Sequence, residues 1–211
     1  MFMEEALDLP LRDVLIRMQD RVMRGTTYHG VKTLKNPLDF WVYTELIFER
    51  RPDVVLEIGN NWGGSTLALA HQLDVLGHGR VIAVDIDHSR IADPVRAHPG
   101  ITFVEQPALE AVDAVGQLIT DGERVLIIED SAHTYDNTLG VLRAYGRFVE
   151  PDGWFIVEDS ICHHGLDLGP NPGPYEAVQT FLAEQDAFVA DRSREDFLIT
   201  WNPTGFLRKV R

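Results

Sequence analysis

Three carboxylates follow two predicted strands at the points where those strands end. Asp130 comes after a strand over 124–128, and Glu158 and Asp159 come after a strand over 153–157. Because the carboxyl ends of adjacent parallel strands meet at one edge of a sheet, we expect these three carboxylates to converge. They would repel one another unless a cation neutralises them. A hard divalent ion that prefers oxygen ligands fits such a site, and Mg²⁺ is the first candidate.

A histidine lies three residues after the first of these carboxylates, which places His133 beside the predicted metal site. A neutral imidazole there would take a proton from a hydroxyl group whose oxygen touches the ion, because the metal and the base both make that proton easier to lose. Two plainer interpretations stay open. His133 would then only cap a helix or satisfy a hydrogen bond, and the carboxylates would simply face solvent, as most do.

A glycine-rich turn joins the first long strand to the helix that follows it. The segment VVLEIGNNWGGST carries Glu57, Gly59 and the Gly-Gly-Ser of residues 63–65. Asp85 ends the next strand, at the position where doubly wound folds place an acid that hydrogen-bonds a pair of ribose hydroxyls. The turn and this acid together predict a nucleoside ligand. Since Asn61 stands two residues after Gly59, the GxGxxG of a dinucleotide site is absent, and so is a P-loop lysine.

Strands and helices alternate along most of the chain. Apolar periodicity predicts helices over 11–22, 37–49, 63–76, 108–118, 135–148 and 175–187. Short apolar runs predict strands over 54–58, 80–85, 101–105, 124–128 and 153–157. This alternation predicts a doubly wound α/β fold with a parallel sheet covered on both faces. Segments 24–36 and 163–174 are predicted loops, and runs over 188–192, 197–201 and 205–210 predict an antiparallel edge at the C-terminal end.

Length and composition favour one globular domain over residues 1–211, with residues 1–36 as a helix and covering loop and residues 163–174 as a substrate loop. Lys and Arg number 19 against 33 Asp and Glu, a net charge of −14. Such a surface repels phosphate backbones and anionic lipids, so we expect neither nucleic acid nor a membrane as partner. Because Cys162 is the sole cysteine and the first residues are acidic, unlike a signal peptide, we expect a cytoplasmic protein.

Several blocks together resemble the cephalosporin hydroxylase family of class I, Mg²⁺-dependent O-methyltransferases, which use S-adenosylmethionine. The resemblance runs from about Tyr28 to the C-terminus through YHGVKTLKNPLDFW, VLEIGNNWGGST, IEDSAHTYD, VEDS, PGPYEAV and TWNPTGFLRK. Related enzymes methylate rhamnosyl groups, macrolide sugars and methylmannose oligosaccharides, and the metal set also resembles that of catechol O-methyltransferase. The resemblance implies a Rossmann-like methyltransferase sheet under an N-terminal lid, S-adenosylmethionine and Mg²⁺ as cofactors, a saccharide hydroxyl as acceptor, and a homodimer or higher homo-oligomer.

The resemblance also assigns roles to residues of this chain. Asp130, Glu158 and Asp159 would hold the metal, with His133 as general base. Tyr28 and the adjacent His163 and His164 are expected to contact the acceptor. The residues implied to hold the cofactor are Thr33, Glu57, Gly59, Asn61, Ser65, Asp85, Ile86, Gln106, Pro107 and Asp130.

Other functions remain open at this point. The chain could be a non-catalytic, methyltransferase-like subunit that assists a partner oxygenase, or an O-methyltransferase of a catechol or polyketide. An iron oxygenase is disfavoured, because its facial triad needs two histidines and a carboxylate, and the adjacent His163 and His164 are poorly placed to share one ion. A nicotinamide dehydrogenase is disfavoured by the glycine pattern.

Overall fold

The structure, a computed structural model, describes residues 2–5 and 7–211. Its helices are α1 (Leu11–Gly25), α2 (Pro37–Arg50), α3 (Gly64–Leu76), α4 (Asp93–Arg96), α5 (Val112–Leu118), α6 (Tyr135–Tyr145) and α7 (Pro174–Glu184). Its strands are β1 (Thr27–Tyr28), β2 (Val31–Lys32), β3 (Val54–Ile58), β4 (Arg80–Asp85), β5 (Ile101–Glu105), β6 (Val125–Glu129), β7 (Trp154–Val157), β8 (Phe188–Ala190) and β9 (Phe206–Lys209). Within these described residues, no helix has both the length and the apolar character of a membrane span.

The large sheet is parallel except at one edge. Its strand order is β5-β4-β3-β6-β7-β9-β8, while β1 and β2 form a separate hairpin. The first five of these strands pair in parallel, and β9 runs antiparallel between β7 and β8. The predicted doubly wound α/β fold with an antiparallel C-terminal edge is therefore confirmed.

Strand β3 shows why both faces of the sheet are covered. All five of its residues are buried. Val54, Leu56 and Ile58 pack into the core on one face, and Val55 packs into the core on the other. Because successive side chains of a strand point to opposite faces, a strand that is apolar throughout needs helices on both sides. The parallel strands then end together at one edge, where the chemically active residues follow them.

The predicted C-terminal strand over 197–201 does not form. Leu198 has a φ of +64°, and its N–H donates to the carbonyl of Glu195 at 3.0 Å, which closes a turn. The N–H of Trp201 donates to a carboxylate oxygen of Asp39 at 2.8 Å instead of joining a strand ladder. Of the apolar residues in this run, Trp201 is buried and Ile199 is partly buried, while Phe197 and Leu198 are exposed. Apolar composition alone does not distinguish such a segment from a strand.

Smaller differences concern the ends of elements. The predicted loop over 24–36 contains the hairpin of β1 and β2, in which Thr27 pairs with Lys32. Helix α5 begins at Val112 rather than 108, and α6 ends at Tyr145, followed by a 3-10 turn over Gly146–Phe148. The start of α2 is as predicted, because the Asn36 side chain accepts a hydrogen bond from the N–H of Leu38 at 3.2 Å.

A buried carboxylate ties α2 to the chain segment before β9. Asp39 is 4% exposed. One of its oxygens accepts from the Thr200 hydroxyl, and the other accepts from the N–H of Trp201 and the Asn36 amide, each at 2.8 Å. Burial raises the pKa of Asp39 to about 6, although these hydrogen bonds oppose the rise. Asp39 thus anchors the segment that replaces the predicted strand, together with the N–H of Ile161, which donates to the carbonyl of Trp201 at 2.9 Å.

We predict that Asp39→Ala lowers the free energy of unfolding by about 2–4 kcal/mol, because it leaves buried donors without an acceptor. Urea unfolding followed by circular dichroism measures this change. The matched control is Asp186→Ala, since Asp186 is 77% exposed and pairs with Arg211 at the surface. That control should change stability by no more than about 1 kcal/mol. Equal effects of the two substitutions would contradict the role of Asp39.

Candidate active site

A cavity of about 640 Å³ opens at the carboxyl edge of the parallel strands. This volume lies in the range of small-molecule and cofactor sites. Most of the site residues expected from the sequence share its wall. These are Thr33, Gly59, Asn61, Ser65, Asp85, Ile86, Pro107, Asp130, His133 and Asp159.

Three of the other expected cofactor and metal residues lie just behind or beside this wall. Glu57 is fully buried beneath the glycine turn, and Glu158 is 5% exposed. The side chain of Gln106 is exposed, while its N–H donates to the carbonyl of Asp85 at 2.9 Å. They belong to the same edge of the sheet without forming the cavity surface.

The structure does not bring the three expected acceptor contacts to the cavity wall. The Tyr28 hydroxyl lies 3.1 Å from Nδ1 of His71 on α3. His163 lies 3.2 Å from the carbonyl of Gly169, and the ring of His164 stacks on Tyr175 with centroids 3.7 Å apart. Each of these side chains already has a partner elsewhere on the surface.

The glycine turn brings the ends of β3 and β6 into contact. Gly59 has a φ of +89°, and a Cβ there would collide with the backbone of Asp130 and Ser131. The N–H of Asp130 donates to the carbonyl of Ile58 at 2.8 Å. Because glycine alone tolerates both the conformation and the approach, Gly59 lets the nucleoside side and the carboxylate side share one cavity.

Asp85 organises the turn as well as lining the cavity. One of its oxygens accepts from the N–H groups of Asn60 and Asn61 at 3.0 and 2.8 Å, and the other accepts from that of Ile86 at 2.7 Å. The N–H of Asp87 makes a longer contact of 3.4 Å with the same oxygen as Ile86. Four backbone N–H groups thus use the roughly four acceptor sites of the carboxylate, so a ligand hydroxyl would have to replace the longest of these contacts.

A lysine lies in the middle of the carboxylate cluster. Lys35 is 6% exposed, and its Nζ donates to Oδ2 of Asp130 at 2.5 Å and to Oε1 of Glu158 at 2.6 Å. Oε1 of Glu57 lies 3.8 Å from the same ammonium. Burial opposes the charge of Lys35, but the surrounding carboxylates outweigh it and raise the pKa of Lys35 above its usual value. Lys35 is therefore a cation within the cluster.

The pKa values of the carboxylates reflect this crowding. Burial and the charge of Asp130 raise the pKa of Glu158 well above its usual value. Burial also acts to raise the pKa of Asp130, but Lys35 and His133 hold it below the usual value. Burial together with the charge of Asp130 raises the pKa of Asp159, although His133 opposes the rise. The carboxylates of the cluster thus outnumber the two cations that contact them, and the raised pKa values of Glu158 and Asp159 reflect that crowding.

His133 lies between two of the carboxylates. Its Nε2 is 2.9 Å from Oδ1 of Asp130, and its Nδ1 is 3.4 Å from Oδ2 of Asp159. Burial acts to lower the pKa of His133, but these two partners raise it to about 10. His133 and Asp159 also have positive φ values of 54° and 56°. Such backbone strain in non-glycine residues is concentrated at functional sites.

The same three side chains have the spacing of metal ligands. Asp130, His133 and Asp159 each offer one ligand atom, and these atoms lie within 4.8 Å of one another. Glu158, the third predicted metal ligand, faces Lys35 instead. Oxygen atoms dominate this set, as Mg²⁺ prefers.

Two buried polar side chains near the turn lack hydrogen-bond partners within the described part of the chain. Oε1 of Glu57 has none, although Oε2 accepts from the Thr66 hydroxyl. Neither polar atom of the Asn60 amide has one, and Asn60 lines the cavity. Unsatisfied buried polar atoms are costly, so these atoms are suited to receive a polar ligand.

The far wall of the cavity includes residues that the sequence analysis missed. Helix α1, the segment before α2, the 161–170 loop and the segment before β9 supply Gln19, Met23, Leu34, Ile161, Leu166, Leu168 and Trp201. Nothing in the pattern of α1 separates a cavity wall from ordinary core packing. Lys35 was missed as well, although it lies directly before the predicted cap Asn36, and so before a helix at this edge of the sheet.

Comparison with known proteins places the chain in a family. A family model described as "Rhamnosyl O-methyltransferase/CmcI" matches residues 20–210. The rhamnosyl O-methyltransferases of Mycobacterium tuberculosis and Mycobacterium leprae are each 31% identical over 193 residues. That alignment covers 88% of this chain and 79% or 84% of the relative.

Solved structures agree on the fold. A structure of CmcI with Mg and SAM covers 97% of this chain and 86% of its own, with a TM-score of 0.70 and 23% identity. An O-methyltransferase from Bacillus cereus in complex with SAH covers 87% of this chain and 84% of its own, with a TM-score of 0.57 and 15% identity. The match of family model and relatives confirms the predicted family and enzyme class. The chain belongs to the rhamnosyl O-methyltransferase/CmcI family and is an S-adenosylmethionine-dependent O-methyltransferase.

Proposed function

We propose that this chain transfers the methyl group of S-adenosylmethionine to a hydroxyl of a rhamnosyl or related sugar, with Mg²⁺ held at the carboxylate cluster. One observation carries the proposal: the nucleoside side, at Asp85, and the cluster of Asp130, His133 and Asp159 line the same cavity. The relatives named rhamnosyl O-methyltransferase support a sugar as acceptor.

The cofactor half of the cavity fits a cationic nucleoside. Asp85 lines the cavity, and ribose hydroxyls would replace its longest contact, the 3.4 Å contact with the N–H of Asp87. Ile86 is 72% exposed and lines the cavity, so it offers an apolar surface to the adenine. The Asn60 amide lines the cavity without a hydrogen-bond partner within the described residues, so it suits the polar methionine end. The shape and polarity of this half thus support the proposed roles of all three residues.

The carboxylate half fits a divalent cation. Asp130 and Asp159 present carboxylate oxygens to this half of the cavity, and Glu158 lies next to Asp130 with Lys35 between them. When bound, Mg²⁺ supplies a Lewis acid that orients the acceptor hydroxyl and makes it more acidic, and S-adenosylmethionine supplies an activated methyl group. Asp130 and Asp159 hold the ion, and Gly59 keeps this half close to the cofactor half.

His133 takes the proton of the acceptor hydroxyl in this proposal. The bond from sulfur to methyl breaks as the bond from oxygen to methyl forms, which leaves S-adenosylhomocysteine and the methyl ether. An imidazolium cannot accept a proton, and the carboxylates that flank His133 keep it charged. A cation held by Asp130 and Asp159 would offset the charge of these carboxylates and so lower the pKa of His133, which would favour the neutral imidazole that a base requires.

The acceptor occupies the apolar side of the cavity. Met23, Leu34, Leu166 and Trp201 form a wall that suits the carbon faces of a deoxy sugar or an apolar group attached to it. The indole Nε1 of Trp201 is buried and lacks a hydrogen-bond partner within residues 2–5 and 7–211. It is therefore a fitting donor to a sugar oxygen.

The direct test is release of S-adenosylhomocysteine by the purified chain with Mg²⁺ and a panel of acceptors. Rhamnosides should be methylated, and EDTA should abolish the reaction until Mg²⁺ is restored. Faster turnover of a catechol or a cephem would mean that this compound class, and not a sugar, is the acceptor. If no acceptor is methylated, the result would favour the alternative of a non-catalytic subunit that assists a partner oxygenase. The predicted homodimer and cytoplasmic location stay predictions.

We predict that Asp85→Ala weakens binding of S-adenosylhomocysteine about 10- to 100-fold, because the ribose loses hydrogen bonds to a charged acceptor. Isothermal titration calorimetry measures the affinity. Asp93→Ala makes the same charge change at an exposed position on α4, outside the cavity wall, and should leave the affinity unchanged. Unaltered binding by the Asp85 variant would remove the proposed cofactor site.

We predict that His133→Gln lowers kcat about 10²- to 10⁴-fold while binding of S-adenosylhomocysteine persists, because the variant lacks the base. Stopped assays of product formation measure kcat. The exposed His29, which lies outside the cavity wall, gives the control His29→Gln with near-normal turnover. A loss of less than threefold in the His133 variant would contradict its role.

A further inference from the structure

We propose that the ammonium of Lys35 occupies the place of the divalent cation in the metal-free enzyme, so that Lys35 competes with the metal for Asp130 and Glu158. The inference rests on the proposed Mg²⁺ site and adds a residue that controls it. Lys35 is a positioning residue, because it acts through the carboxylates and not on the reacting atoms.

The contacts of Lys35 are those of a stand-in cation. Its Nζ lies 2.5 Å from Asp130 and 2.6 Å from Glu158, which are two of the three carboxylates at the ends of β6 and β7. With side-chain exposures of 5% for Lys35 and 6% for Glu158, water screens this pair little. A divalent ion that bound both oxygens would meet a positive charge inside its own ligand set.

The charge of the cluster explains why a lysine is needed there. In the metal-free state, Lys35 and His133 are the cations that contact Asp130, Glu158 and Asp159 among the described residues. Without Lys35, Glu158 would be left as a buried carboxylate beside a second one, which is strongly unfavourable. The ion pairs of Lys35 thus stabilise the carboxylate cluster without a metal ion. The same ion pairs weaken the affinity of the cluster for a divalent ion.

The structure also offers Lys35 a second place. Oε1 of Glu57 lies 3.8 Å from Nζ and has no hydrogen-bond partner within the described residues. The four-carbon stem of lysine is flexible, so a small shift moves the ammonium from Asp130 and Glu158 towards Glu57. Glu158 is then free to join Asp130 and Asp159 as the third predicted metal ligand.

The test is the affinity for Mn²⁺, a spectroscopic substitute for Mg²⁺, in the metal-stripped protein. Free Mn²⁺ is counted by electron paramagnetic resonance during titration of wild type, Lys35→Met and Lys209→Met. Removal of a positive charge next to the ligands should tighten Mn²⁺ binding by Lys35→Met about tenfold or more. Lys209→Met is the matched control, because it removes the same charge outside the cavity wall, where the Lys209 ammonium donates to the carbonyls of Gly146 and Val149. This control should bind Mn²⁺ like wild type.

A loss of stability in Lys35→Met does not obscure the result. Lys35→Gln keeps an amide donor for one carboxylate and removes the charge, so it should also bind Mn²⁺ more tightly than wild type. Both variants should gain more in melting temperature from Mn²⁺ than wild type gains. A variant that folds only with Mn²⁺ would support the proposal.

The proposal is overturned if wild type binds Mn²⁺ and neither Lys35 variant binds it more tightly. Lys35 would then stabilise the fold without affecting the affinity for the metal. If no variant binds Mn²⁺ at the cluster while S-adenosylhomocysteine still binds, the metal part of the proposed function fails as well. A merely structural lysine would lower stability without increasing metal affinity.

Discussion

The repulsion between carboxylates at the ends of β3, β6 and β7 is the constraint on which the active site depends. Glu57, Asp130, Glu158 and Asp159 lie at one edge because parallel strands end together. Burial removes the water that would otherwise solvate them, so cations must lie among them. Lys35 and His133 fill that need in the metal-free protein, and both are charged because of it.

The same constraint links fold to chemistry. Gly59 lets β3 approach β6 so closely that the cofactor turn and the carboxylate cluster share a cavity. Asp85 holds the turn by accepting from backbone N–H groups, and it also lines the cavity. The chain thus places one carboxylate beside the turn and a cluster of carboxylates on the other side of the cavity, which suits the proposed cationic methyl donor and divalent ion.

The sequence predicted the fold and the family, and most of the expected site residues line one cavity, for identifiable reasons. Runs such as 54–58 are apolar at every position, and strands of this kind between amphipathic helices have few other arrangements. Asp130, Glu158 and Asp159 were found because residues after strands must lie at the sheet edge. The family match supports the enzyme class that the sequence segments shared with the family had suggested.

The sequence did not predict what depends on long-range side-chain contacts. Lys35 precedes a helix and looks like an ordinary surface lysine until β6 and β7 are placed beside it. The run over 197–201 has the composition of a strand, but the N–H of Trp201 donates its hydrogen bond to Asp39 on α2 instead of to a neighbouring strand. The loop histidines His163 and His164 were expected at the acceptor, yet Gly169, Tyr175 and Glu176 hold them elsewhere.

A crystal structure with Mn²⁺ and S-adenosylhomocysteine is the decisive experiment, because anomalous scattering locates the metal directly. We expect an anomalous peak within coordination distance of Asp130 and Asp159, the nucleoside at Asp85, and the Lys35 ammonium withdrawn from Asp130 and Glu158. A cluster without the peak, with Lys35 still bound to both carboxylates and S-adenosylhomocysteine in the cavity, would show that the carboxylates do not form a metal site.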